Sequence, residues 1–99
     1  MTRLMVKYKV RADEAAANVR AIEGVFAQLW ERNPRGLRYA SFRLEDGVSF
    51  VHIFSGDTDH DRDALRELPA FKAFSSAVRD RCEEQPVVMQ LNEVGSYGM

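Results

Sequence analysis

The stretch Val48-Ser49-Phe50-Val51-His52-Ile53-Phe54-Ser55 constrains this chain more than any other. It is dense in β-branched and aromatic residues and reads as a strand. The period of two puts Phe50, His52 and Phe54 on one face and Ser49, Val51, Ile53 and Ser55 on the other. Both faces are mostly apolar, so both need cover. Helices can supply one cover, and 99 residues leave too little chain to supply the second generously. A second copy of the chain is the simplest source. His52, the lone polar side chain on the aromatic face, marks a candidate site.

The segments around this strand set the topology. Leu4 to Arg11 alternates apolar and basic residues, a half-buried strand with Lys7, Lys9 and Arg11 on its polar side. Asp13 then stands as a candidate N-cap before an alanine-rich run. From Glu14 to Arg32, Val19, Ile22, Phe26 and Leu29 recur at helical spacing, and Val25 and Trp30 widen the stripe. Asn33-Pro34-Arg35-Gly36 ends that helix. Leu37 to Leu44 reads as a second strand, and Glu45-Asp46-Gly47 as a hairpin turn into the central one.

Thr58 with Asp61 then resembles a capping box. Ala64 to Glu84 is helical but interrupted, with Pro69 starting a new turn. Phe71, Phe74, Val78 and Cys82 recur at three and four. Val87 to Val94 is the last strand, followed by the tail Gly95-Ser96-Tyr97-Gly98-Met99. The order is β-α-β-β-α-β over residues 1–99, one ferredoxin-like α+β domain: a four-stranded antiparallel sheet, order 4-1-3-2, with the helices on one face. Met5, Val51 and Ile53 fall on the uncovered face, too large an apolar patch to leave bare.

Composition excludes several functions. A net charge of −1, from 14 basic and 15 acidic residues, offers no basic excess for nucleic acid. One cysteine, Cys82, permits no internal disulfide and no cysteine cluster for a metal. No apolar run approaches a membrane span and the N-terminus lacks a signal-peptide core, so the expected setting is cytoplasmic.

Phe50-Val51-His52-Ile53-Phe54 before an acidic turn, then Ala64-Leu65, then Phe71-Lys72-Ala73-Phe74, resembles the dimeric α+β barrel proteins of the antibiotic-biosynthesis monooxygenase type. The resemblance covers essentially the whole chain. It implies a homodimer whose two sheets form a barrel, with a pocket between sheet and helices in each subunit. It also implies oxidation of phenolic, quinol or anthrone-like compounds by O2 with no metal or flavin cofactor. The Asn and Trp that catalytic members carry on strand three correspond here to Phe50 and Phe54. Leu68 stands where relatives have a His, and His52 where many have a Glu. The Asn that the haem-degrading branch uses on its first strand is missing, which disfavours haem.

His52 is therefore the candidate general base, an imidazole suited to removing a phenolic or C–H proton near neutral pH. Equally, it fits a buried histidine satisfied by a tyrosine or a carbonyl. Phe26, Trp30, Phe50, Phe54, Phe71 and Phe74 are candidates to line an aromatic substrate pocket, or to fill the core. Arg43, with Tyr8 and Tyr39, is a candidate polar contact for a carboxylate or phenolate. His60 among Asp57, Asp59, Asp61 and Asp63 reads as a solvated helix start, without the glycine and closing glutamate of a calcium loop. The alternative to an oxygenase is a non-catalytic dimer that binds a small aromatic molecule.

Overall fold

A computed structural model of the chain describes residues 2–98; Met99, at the end of the tail, lies outside the described residues. Four strands, β1 (Thr2–Val10), β2 (Leu37–Arg43), β3 (Ser49–Gly56) and β4 (Cys82–Gln90), form one antiparallel sheet in the order β2-β3-β1-β4. This is the expected 4-1-3-2 arrangement. α1 (Ala15–Arg32), α2 (Asp59–Arg66) and α3 (Pro69–Arg81) provide the helical layer. Phe50, Phe54, Tyr8 and Val10 of the sheet share a buried core with Val25 and Leu29 of α1 and Phe74 and Val78 of α3. Truncating a ring as enclosed as Phe50 to alanine costs about 3–5 kcal/mol in such a core.

Local chemistry accounts for most boundaries. Asn33 ends α1 in the left-handed conformation, φ 48°, and its N–H bonds the Leu29 carbonyl at 2.7 Å. At the β2–β3 hairpin Gly47 takes φ 79°, while the Asp46 carboxylate accepts the amides of Val48 and Ser49 at 3.0 and 2.8 Å. The Ser49 hydroxyl, with these two amides, holds the Asp46 carboxyl down at about 2. Asp61 accepts the Thr58 amide at 2.8 Å at the start of α2. Pro69 opens α3, where its missing N–H is no loss.

Four expectations need correction. Asp13 is not the N-cap of α1. A 3-10 turn over Ala12–Glu14 comes first, no side chain caps either start, and Asp13 lies 3.9 Å from Arg11 instead. Trp30 does not widen the buried stripe. The seam of α1 runs through Ala15, Asn18, Val25 and Leu29, and Trp30, about 100° around from Leu29, is 81% exposed. The last helix stops at Arg81 rather than Glu84, and Cys82 belongs to β4 rather than to a helical stripe. The final strand ends at Gln90, not Val94.

The reason for the early strand is the edge of β1. Arg11 N–H bonds the Arg81 carbonyl at 2.9 Å and Cys82 pairs with Val10, so the ladder captures the chain there. Pro86 then sits between Glu84, opposite Lys9, and Val87, opposite Lys7, where the register slips. An edge strand tolerates a proline at such a slip because no ladder donor is lost.

Candidate functional site

Three strands deliver the polar centre. Val6, His52 and Ser41 are directly paired across β1, β3 and β2, so all three side chains meet on the helix-facing side. His52 is 4% exposed. Its Nε2 lies 2.8 Å from the Tyr8 hydroxyl, and its Nδ1 lies 2.6 Å from Ser41 Oγ and 2.9 Å from the Tyr39 hydroxyl. The Tyr8 and Tyr39 rings stack on the imidazole from either side, with centroids 5.3 and 5.8 Å away. Asn18 Nδ2, from the buried seam of α1, donates to the Tyr8 hydroxyl at 2.8 Å.

Burial dominates the electrostatics. Desolvation lowers the His52 pKa to about 4, so the imidazole is neutral at physiological pH. The same effect raises Tyr39 to about 12 and shifts Tyr8 upward, so both hydroxyls keep their protons. The site thus holds one unprotonated base among three hydroxyls.

His52 opens on a hollow of about 180 Å³ between the sheet and α3. Tyr8, Tyr39, Phe71 and Phe74 wall it, and the exposed Ser75 and Arg79 stand at its rim. An apolar space of about 150 Å³ accommodates a benzene ring, so this one matches a single aromatic ring.

The structure gathers five of the sequence candidates, His52, Tyr8, Tyr39, Phe71 and Phe74, around this hollow. Phe26 stacks on the outer side of Tyr39 at 5.4 Å and touches the hollow only through it. Phe50 stacks on Tyr8 at 5.6 Å, buried behind the site, and Phe54 is buried further along β3. Trp30 borders a separate groove beside Pro34 and Leu37. Arg43 is directed to the β2–β3 turn, where Nε donates to the Gly47 carbonyl at 2.8 Å. Sequence reasoning passed over Ser41, Asn18 and Arg79. Arg79 falls four residues after Ser75 and eight after Phe71, a helical spacing that placed it within reach of the same face.

The fold that carries these residues occurs in solved structures. One antibiotic biosynthesis monooxygenase superimposes with a TM-score of 0.79 over 96% of this chain and 100% of its own, at 12% identity. A Nitrosomonas europaea protein provisionally given that name also reaches 0.79 over 96% and 100%, at 20% identity. The chain has an antibiotic-biosynthesis-monooxygenase-like fold. A Caulobacter crescentus protein of the same provisional name agrees, with a TM-score of 0.73 over 95% of this chain and 90% of its own, at 21% identity. No protein-family model and no curated protein matches the sequence. The monooxygenase-like fold is thus kept while most side chains differ. In this chain the centre of that fold is the His52 cluster.

No helix among the described residues is long and apolar enough to cross a membrane, and no group of three or more His, Cys, Asp or Glu side chains among them is arranged to hold a metal ion.

Proposed function

We propose that this protein is a homodimeric oxygenase that oxidises a small phenolic or quinol compound with O2, without a metal or organic cofactor, and that His52 is its general base. The observation that carries the reading is a neutral, buried imidazole, held by hydroxyls, opening on a hollow walled by aromatic rings. The size of the hollow favours one ring over a three-ring anthrone. For an activated ring methylene, the overall chemistry converts the methylene and one O2 into a carbonyl and one water. Carbon supplies all four electrons, one oxygen atom stays on it, and the other leaves with both methylene hydrogens, so no outside reductant is needed. The protein's part is to remove the proton that makes the substrate electron-rich, to hold the anion and to keep bulk water out.

The proton transfer is uphill but within reach of ordinary turnover. From a phenol of pKa near 10 to a base of about 4, it costs about 8 kcal/mol. Turnover of about 1–1000 per second allows barriers of about 13–17 kcal/mol. The new anion also lies across the Tyr8 hydroxyl from the imidazolium, with Arg79 at the rim, and both lower that cost. Phe71 and Phe74 offer the ring apolar contacts.

The homodimer rests on the other face of the sheet. Met5, Ala40, Phe42, Val51, Ile53, Val87 and Met89 project there by register, and Phe42 and Val87 are 52% and 56% exposed. A second copy packed sheet to sheet would cover them.

A non-catalytic binding role is favoured by a different observation, that both nitrogens of His52 already have partners. Oxygen uptake with a panel of single-ring quinols and phenols separates the two readings. An oxygenase consumes O2 with at least one of them, and His52→Ala falls at least about 100-fold. Saturable ligand binding with no uptake by wild type would leave only the binder.

A further inference from the structure

Among the described residues, every direct partner of the His52 imidazole is a hydroxyl, and a hydroxyl can donate or accept. These three groups by themselves leave the imidazole free to carry its proton on either nitrogen. One member of the network has a fixed polarity: Asn18 Nδ2, which can only donate, lies 2.8 Å from the Tyr8 oxygen. Asn18 is fully buried, with no solvent to offer another partner.

We infer that Asn18 is a positioning residue that fixes His52 in the Nδ1–H tautomer and so makes Nε2, behind the Tyr8 hydroxyl, the basic nitrogen of the site. With Asn18 donating to the Tyr8 oxygen, the Tyr8 hydrogen points to the other atom in reach, His52 Nε2 at 2.8 Å. Nε2 then accepts, and Nδ1–H donates to Ser41 Oγ at 2.6 Å, while the Tyr39 oxygen, 2.9 Å from Nδ1, directs its own hydrogen elsewhere. The opposite tautomer would aim two donors at the Tyr8 oxygen and leave its O–H with no acceptor among the described residues, which is the costly kind of orphan. Turning the Asn18 amide over would let its Oδ1 accept from Tyr8 but would strand its amino group, two buried donors. In the arrangement observed, Asn18 Oδ1 is the one buried atom of this network without a partner among the described residues, and it is an acceptor. The fixed tautomer is the reverse of the one that predominates for free neutral histidine.

The assignment has a mechanistic consequence, which rests on His52 being the base. Tyr8 walls the hollow, and one lone pair of its oxygen remains for a substrate donor. The substrate O–H bond breaks as a Tyr8 O–H bond forms. The former Tyr8 hydrogen passes to Nε2, giving imidazolium, and the electron pair stays on the substrate oxygen. Tyr8 ends as it began, neutral.

Nitrogen-15 correlation spectra of the imidazole read the tautomer directly and without turnover. Wild type is expected to show a protonated Nδ1 and an unprotonated Nε2 at pH 7. Asn18→Leu, similar in size and without a donor, should lower the Nδ1–H to Nε2–H ratio at least about fivefold. Tyr8→Phe, which cuts the same link one bond later, should relax the ratio likewise and covers the case of Asn18→Leu failing to fold. With an oxidised quinol in hand, Asn18→Leu should reduce kcat and leave KM within about twofold. An Nε2–H tautomer in wild type, or a ratio unmoved in the folded variants, would overturn the assignment. A correct tautomer in a protein that consumes no oxygen would keep Asn18 in this role and remove only the base reading.

Discussion

The Tyr8 and His52 rings lie nearly parallel, 12° apart in plane with centroids separated by 5.3 Å, and their polar ends meet in a 2.8 Å hydrogen bond. Tyr8 is on the first strand of the sheet and His52 on the third, yet antiparallel pairing puts them one step apart on adjacent central strands. The pair links the seam of α1, through Asn18, to the hollow under α3. Disturbing it should therefore register in stability as well as in chemistry.

Tyr8→Phe is expected to destabilise the fold by about 2–4 kcal/mol, because Asn18 Nδ2 and His52 Nε2 both lose their partner in a buried setting. Tyr39→Phe should cost about 1 kcal/mol, since Nδ1 keeps Ser41 at 2.6 Å. Urea unfolding of the two variants side by side checks the order. Equal losses would mean that the two hydroxyls are energetically equivalent.

Acid should weaken the protein in a particular window. His52 titrates near 4 when folded and near 6.5 when unfolded, so between these values the unfolded chain binds the extra proton. This contribution is complete above pH 6.5, falls as pH drops toward 4 and amounts to about 3 kcal/mol in all. His52→Gln should flatten that part of the stability profile, measured by chemical denaturation at pH 7, 5.5 and 4.5. The acid limb of any His52-dependent rate should likewise lie well below 6.5.

Arg79 stands at the rim, exposed, one helical turn from Ser75. Arg79→Ala is expected to raise KM about 5–10-fold for a single-ring substrate bearing a carboxylate, and to change it less than twofold for a neutral quinol. Steady-state kinetics on a matched pair of compounds reads the difference. Equal effects on both would place the guanidinium away from the ligand.

Phe42 and Val51 are paired on the face opposite the helices, with Lys7 beside Val51. In sedimentation the wild type should run at twice its 11.3 kDa chain mass at micromolar concentration. Phe42→Lys together with Val51→Lys should bring it to the monomer by placing like charges in the interface. A wild type that sediments as a monomer would remove the dimer from the proposal.

The elements and their order can be read along the chain, because they follow from interactions within a few residues. Alternation wrote β1, the density of β-branched and aromatic residues wrote β3, the Asp46-Gly47 turn set the hairpin, and Pro69 divided the second helical region. His52 was visible for the same reason, as one polar residue on an otherwise aromatic face. Packing and strand pairing settled what periodicity cannot carry. Cys82 left its helix because Val10 offered a ladder partner. Trp30 went to solvent because the turn of α1 carried it past the seam. The partners of His52 came from residues 8, 39 and 41, which only strand register brings together, and Asn18 looked like an ordinary polar position until packing buried it. Local preference fixes which residues share a face; register and close packing fix which atoms touch, and the chemistry of this site is a matter of atoms.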